Sequence, residues 1–392
     1  MMMNKKIMKM AVMPFMILAA SSLMQSCIEE EFPTDYATGE QMQTAKNPGK
    51  ILLNGLNAKM VEQFSYNGAQ VAYDWGYPSQ MLIRDILGGD EPVSNVTNDY
   101  LAWIADGTSL NVFSLYTYSY YYDLVSNANN MVEKFGSDDS DQKAYAGAAR
   151  AYRALAYLDM TRMFEYKTTG FSSLDAQAEN SKVAGLTVPI VTEKTTAKES
   201  KNNPRAPFYT MYRFILNDLK LAESEMKGFE RANKTQPDES VVYGLEARLW
   251  LEMATRFEKN PEDLATQLAH EEDADGYAKL GVTTADECYA KAAEYAQKAM
   301  ALDGYAPLSS DEWHNEKTGF NLATGAWMWS ASMQDKDMLT YYWYSWLCWM
   351  GSEAPNLTWG GMGTYRCIDK SLYEKMPDAD WRKTTWVDPS DV

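Results

Sequence analysis

Histidine is scarce in this 392-residue chain, which carries only His270 and His314. That leaves too few for a His-rich metal centre, and a Ser-His-Asp triad would have to use one of those two. Cysteine is almost as rare, with Cys27, Cys288, Cys348 and Cys367 at no metal-type spacing. The last three could close one disulfide at most. Cys288 falls in a helical pattern and reads as a buried thiol. Positive charge is short, with 36 Lys and Arg against 54 Asp and Glu, a formal charge of −18. A body this acidic is repelled by a phosphate backbone, so nucleic acid is excluded as a partner. No GxGxxG, P-loop, GxSxG or HExxH motif occurs, so no cofactor and no catalytic residue are expected. What is present is apolar and aromatic. The apolar share of 46% suffices for a core and excludes a wholly disordered chain. The length allows two or three domains at about 150 residues each, or one long helical array. Aromatics reach 13%, with 26 Tyr and 12 Trp, and are the unusual feature.

The first 27 residues read as an export signal. Lys5, Lys6 and Lys9 form a basic start, and residues 10–23 form an apolar run shorter than the roughly 20 residues of a membrane span. The run ends in Leu23-Met24-Gln25-Ser26-Cys27, a lipobox-like sequence in which Cys27 becomes the lipidated residue. The alternative is an ordinary signal peptide cut near Ser26. Removal of the segment takes the formal charge from −18 to −21. Residues 28–49 begin with Ile28, Glu29, Glu30 and Glu31 and read as an acidic tether.

Residues 50–306 carry a mainly helical pattern. Helices are expected over 51–66, 111–135, 141–164, 208–227, 239–257 and 285–302. The 141–164 segment is expected to bury one stripe, through Tyr145, Ala148, Tyr152, Leu155 and Leu158. The polar stretches 170–182 and 258–284 read as insertions. Thr284 and Glu287 form a capping box, and Ala292, Ala296 and Ala299 recur at helical spacing before Gly304. Small residues on one face let two helices approach closely, as in a tetratricopeptide hairpin, with 239–257 as the partner helix. The fold class expected is mainly α, a tetratricopeptide-like scaffold joined to an irregular aromatic region over 307–392. Nine of the 12 Trp lie between Trp313 and Trp386.

A sugar offers hydroxyls and flat C–H faces, so rings and nearby polar groups mark candidate contacts. Gly76 and Pro78 suggest a turn that displays Asp74, Trp75 and Tyr77, and Trp103 follows in a second loop-like stretch. The other candidates are Trp343, Trp346, Trp349, Trp359 and Tyr365. The opposing reading is core packing, because Trp and Tyr at helical spacing are usually buried. No spacing singles out a carboxylate pair for glycoside hydrolysis, so a secreted hydrolase is the weakest of the readings. Glu271-Glu272-Asp273-Ala274-Asp275-Gly276 starts like a calcium loop but lacks the later ligands, and no metal site is assigned.

Several motifs, in order, resemble the SusD/RagB family of outer-membrane nutrient-binding lipoproteins. They are Cys27 with its acidic tag, Ala128-Asn129-Asn130-Met131-Val132, the helix from Arg153 through Tyr157 to Phe164, Gly185-Leu186-Thr187-Val188-Pro189, Tyr212-x-x-Ile215-x-x-Asp218-Leu219, the alanine-spaced helix, and Asp380-Trp381-Arg382. Glu165 stands where the family usually has Gly, and the family pattern continues well beyond the Asp-x-Arg element, so the resemblance implies a C-terminally truncated chain. It also implies a lipid-anchored outer-membrane protein facing outward, without catalytic residues. Such a protein captures an oligosaccharide or polysaccharide and passes it to a SusC-like TonB-dependent transporter. The alternatives are a tetratricopeptide-like interaction scaffold, or a lipoprotein that binds peptide or another nutrient.

Overall fold

A computed structural model describes residues 45–62, 65–66, 69–70, 75–90, 112–137, 142–318, 325–332 and 368–386. The fold below belongs to the unit from Gly49 onward. Its longer helices are α1 (Pro48–Lys59), α2 (Gly76–Gly88), α3 (Val112–Phe135), α4 (Lys143–Phe164), α5 (Ser172–Asn180), α6 (Phe208–Glu225), α7 (Glu239–Lys259), α8 (Pro261–Ala269) and α9 (Ala285–Asp303). A two-stranded ribbon, Ser65–Tyr66 against Ala69–Gln70, lies between α1 and α2. The architecture is mainly α. The long helices α3, α4, α6, α7 and α9 each pack on the next in the chain, the nearest-neighbour arrangement of helical repeat proteins.

Helix α4 is the centre. Every residue from Ala146 to Thr161 is buried, so the single stripe expected from its sequence is replaced by burial on all sides. Alanines at 146, 148, 149, 151, 154 and 156 make that possible, because a helix clad in methyl groups admits neighbours on every face. Close approach is tightest at Gly147, where a Cβ would stand 2.5 Å from Met226 Cγ.

Helix α7 packs most extensively on α9, across the expected 258–284 insertion, whose first two residues belong to α7. The capping box of α9 forms as expected: Glu287 N–H donates to Thr284 Oγ1 at 3.2 Å, and Glu287 Oε2 accepts from Thr284 N–H at 3.2 Å. Gly304 closes the helix in the left-handed region, at φ 62°. Cys288 is buried within α9, and burial pushes its thiol up to about 11. Loss of the cap in Thr284→Ala is expected to destabilise by about 1 kcal/mol, read as a shift in the urea midpoint, whereas Thr284→Ser should retain it.

Three expectations change. Helix α1 stops at Lys59 rather than continuing to 66. The two polar insertions hold helices of their own, α5 and α8, with Pro261 opening α8 at a position where a missing N–H costs nothing. Gly76 to Pro78, expected in a turn, are the first residues of α2. The carboxylates of the 271–275 run are engaged within the protein. Asp275 pairs with buried Arg213 and Asp273 with His270, while Glu271 accepts from Leu280 N–H and Glu272 meets Lys279. Among the described residues, no group of three or more His, Cys, Asp or Glu is arranged to hold a metal. Nor is any helix there long and apolar enough to cross a membrane.

Candidate functional site

One face of α7 carries Val241, Gly244, Leu245 and Arg248, spaced by three, one and three, which puts all four on one stripe. This stripe is the floor of a cavity of about 1040 Å³, at the upper end of the sizes of small-molecule sites. Tyr77 and Met81 of α2 form one wall. The other comes from segment 325–332 and the 3₁₀ turn Trp381–Thr385, which bring Trp327, Trp329 and Trp381, while Trp313 closes one end.

The far wall is held by the loop that leads into α7. Lys234 Nζ donates to Trp327 O at 2.6 Å, Arg231 Nη1 to Met328 O at 2.6 Å, and Ser330 N–H to Lys234 O at 2.8 Å. The Trp329 indole N–H donates to Thr235 O at 3.0 Å, and its ring meets Tyr152 edge-on at 4.8 Å. Gly244 lets this segment come close, since a Cβ there would sit 2.9 Å from Met328 Sδ. The 3₁₀ turn is tied by Asp380, which accepts Arg382 N–H at 3.1 Å and pairs with both Nε (2.9 Å) and Nη2 (2.6 Å) of Arg382. The Trp313 indole N–H donates to Thr385 Oγ1 at 3.0 Å, and Trp381 stands edge-on to Trp313 at 6.0 Å.

Polar character is sparse and placed. The Arg382 hydrogen bonds hold Asp380 down at about 2. It is the one carboxylate among the described lining residues. A group so acidic is a poor general acid near neutrality. Arg248 lies at 3.2 Å from Asp159, which is wholly buried and also takes Arg84 at 2.9 Å and the Tyr121 hydroxyl at 3.1 Å. Arg84 sits over the Tyr77 ring, 5.6 Å from its centroid. Burial, then the Asp159 charge, raises the Tyr77 hydroxyl above its ordinary value, so the ring is neutral and offers a face and an O–H.

Of the residues singled out from sequence, Tyr77 lines this cavity. Trp75 is not a displayed ring. It is only 4% exposed, because the start of α2 turns it inward, and its indole N–H has no partner among the described residues. Cys27, Asp74, Trp103, Trp343, Trp346, Trp349, Trp359 and Tyr365 lie outside the described residues. Trp313, Trp327 and Trp329 escaped sequence reasoning, and Trp381 entered it only within the Asp380-Trp381-Arg382 motif, not as a ligand candidate. The density of Trp after residue 312 points to the region, but no periodicity says which rings converge.

The fold is similar to that of two solved structures. One is a SusD-like carbohydrate binding protein from Bacteroides vulgatus, with TM-score 0.55 and 17% identity, covering 86% of this chain and 59% of that one. The other is a SusD-like protein from Bacteroides fragilis, with TM-score 0.52 and 14% identity, covering 86% and 53%. The chain thus spans somewhat more than half the length of either. No protein-family model and no curated protein matches the sequence. At these identities the likeness establishes the fold.

Proposed function

We propose that this chain, whose fold is that of the SusD-like proteins, is a non-enzymatic saccharide-binding protein of that kind. It holds an oligosaccharide or polysaccharide in the cavity between α7, α2 and the Trp381 turn. The observation that carries the reading is the convergence of Trp313, Trp327, Trp329, Trp381 and Tyr77 on one cavity with few polar groups. Flat rings match the C–H faces of sugars, and a few fixed polar groups orient the hydroxyls. The B. vulgatus neighbour is described as carbohydrate binding, which supports the same reading here. The lipobox-like sequence ending in Cys27 and the acidic residues after it support a lipid-anchored protein at the outer membrane, facing outward. In that setting the bound saccharide passes to a SusC-like TonB-dependent transporter.

Affinity electrophoresis of the purified protein against a polysaccharide panel tests the binding. At least one polymer should retard the protein. Trp381→Ala should weaken that retardation about tenfold, the loss of one stacked ring, with an unchanged circular dichroism spectrum. A folded protein retarded by no polymer would overturn the reading.

A further inference from the structure

The charges around the cavity do not cancel. Asp380 and Arg382 neutralise each other through two hydrogen bonds. Behind the α7 stripe, the single charge of Asp159 is shared by two guanidinium groups, Arg84 at 2.9 Å and Arg248 at 3.2 Å. Asp159 and Arg84 are set back from the lining, whereas the Arg248 side chain is 41% exposed and reaches it. Tyr77, the remaining titratable group of the lining, is uncharged. Among the described residues the sum is one uncompensated positive charge, on a strip of this strongly acidic chain where rings converge.

We propose that the ligand is an acidic saccharide, a polymer or oligomer of sugar acids, and that Arg248 receives its carboxylate. This inference rests on the saccharide-binding reading above and specifies its substrate class. A guanidinium presents five donors in a planar fork that matches a carboxylate, and Asp159 occupies one edge only. Its ion pair with Asp159 holds Arg248 in place, so little side-chain entropy remains to be lost on binding. The surrounding rings lower the local dielectric, which strengthens the ion pair relative to one in open water. The acidic body around the site repels polyanions at long range, so the pairing requires local contact and selects against polymers lacking complementary shape.

The test compares uronic-acid polymers (polygalacturonate, alginate and hyaluronan) with their carboxyl-reduced forms and with a set of neutral polysaccharides, using the same electrophoresis. The expected result is retardation by at least one uronate and at least tenfold weaker binding of its carboxyl-reduced form. Arg248→Gln should lower uronate affinity to the level of the reduced polymer, and Arg248→Lys should retain part of it. Raising the salt from 0.05 to 0.5 M should weaken the wild type relative to Arg248→Gln, which lacks the screened attraction and keeps only the long-range repulsion that salt relieves. Binding of a neutral polymer, changed less than threefold in Arg248→Gln, would overturn the acidic ligand and leave the saccharide reading standing. Failure of the folded protein to bind any polymer would overturn both. Asp159 keeps Arg84 and Tyr121 in Arg248→Gln, so that variant is expected to fold.

Discussion

Asp218→Ala is expected to lose about 3–5 kcal/mol of stability, the usual cost of stripping one partner from a buried ion pair. Asp218 of α6 is 1% exposed. It receives Arg153 Nε at 2.6 Å and Nη2 at 2.7 Å, a two-pronged contact, and Arg150 Nη1 at 3.4 Å. Arg153 is itself 2% exposed, and its third nitrogen meets Asn129 Oδ1 at 2.6 Å and Glu193 Oε2 at 2.7 Å. Burial works against the Arg153 charge, but Asp218 and Glu193 outweigh it and hold the guanidinium above its ordinary value. Without Asp218, two guanidinium groups remain between α4 and α6 with their partners reduced to Glu193, Glu225 and Asn129. The result should be a lower urea midpoint with an unchanged slope. Replacing both partners, Arg153→Met with Asp218→Leu, should cost less than Asp218→Ala alone, since Arg150 keeps Glu225 and Glu193, the charge that loses its ion pair, is 15% exposed. A loss below about 1 kcal/mol for Asp218→Ala would mean that water reaches the pair.

Gly76→Ala should cost about 2–5 kcal/mol, from two independent sources. The residue has φ of 64°, a left-handed conformation that costs a residue with a Cβ about 1–2 kcal/mol. The added Cβ would also stand 2.5 Å from Met60 O and 2.9 Å from Met60 C, and overpacking of this kind costs about 1–3 kcal/mol. The obstacle is backbone that cannot rotate away, since Met60 O accepts Tyr77 N–H at 2.8 Å. Gly76 N–H is engaged too, by the Tyr116 hydroxyl at 3.1 Å. Because Tyr77 follows directly, relief of the clash moves a wall of the cavity. The variant should therefore bind saccharide more weakly than its loss of stability alone explains. Equal stability in Gly76→Ala and wild type, by urea unfolding, would show that the α1 to α2 connection shifts freely.

Both substitutions act through contacts between segments distant in the chain, which sequence patterning does not convey. Helices α3, α6, α7 and α9 were legible because each faces the core with one side and solvent with the other, which leaves a 3.6-residue period. The Thr284 cap and Gly304 terminus were legible because they depend on backbone groups within one turn. The full burial of α4 was not, since a helix surrounded by neighbours has no solvent side to mark a period. The partners of Arg153 were equally hidden, being 24, 40 and 65 residues away in the chain.

At the site the division is sharper. Tyr77, singled out from its own neighbourhood of Gly and Pro, lines the cavity, whereas the same local logic displayed Trp75, which is buried. Composition and local pattern determined a mainly α chain without a catalytic motif, with its aromatics gathered late and its charge strongly negative. Convergence of Trp313, Trp327, Trp329 and Trp381 on the α7 stripe came from long-range hydrogen bonds such as Arg231 to Met328 O and Lys234 to Trp327 O. Such bonds join positions more than 90 residues apart, and no periodicity along the chain encodes them. Likewise, Arg248 is one of many arginines in the sequence. Only its sharing of Asp159 with Arg84, which packing of α2, α4 and α7 brings about, gives it a surplus charge at the cavity floor.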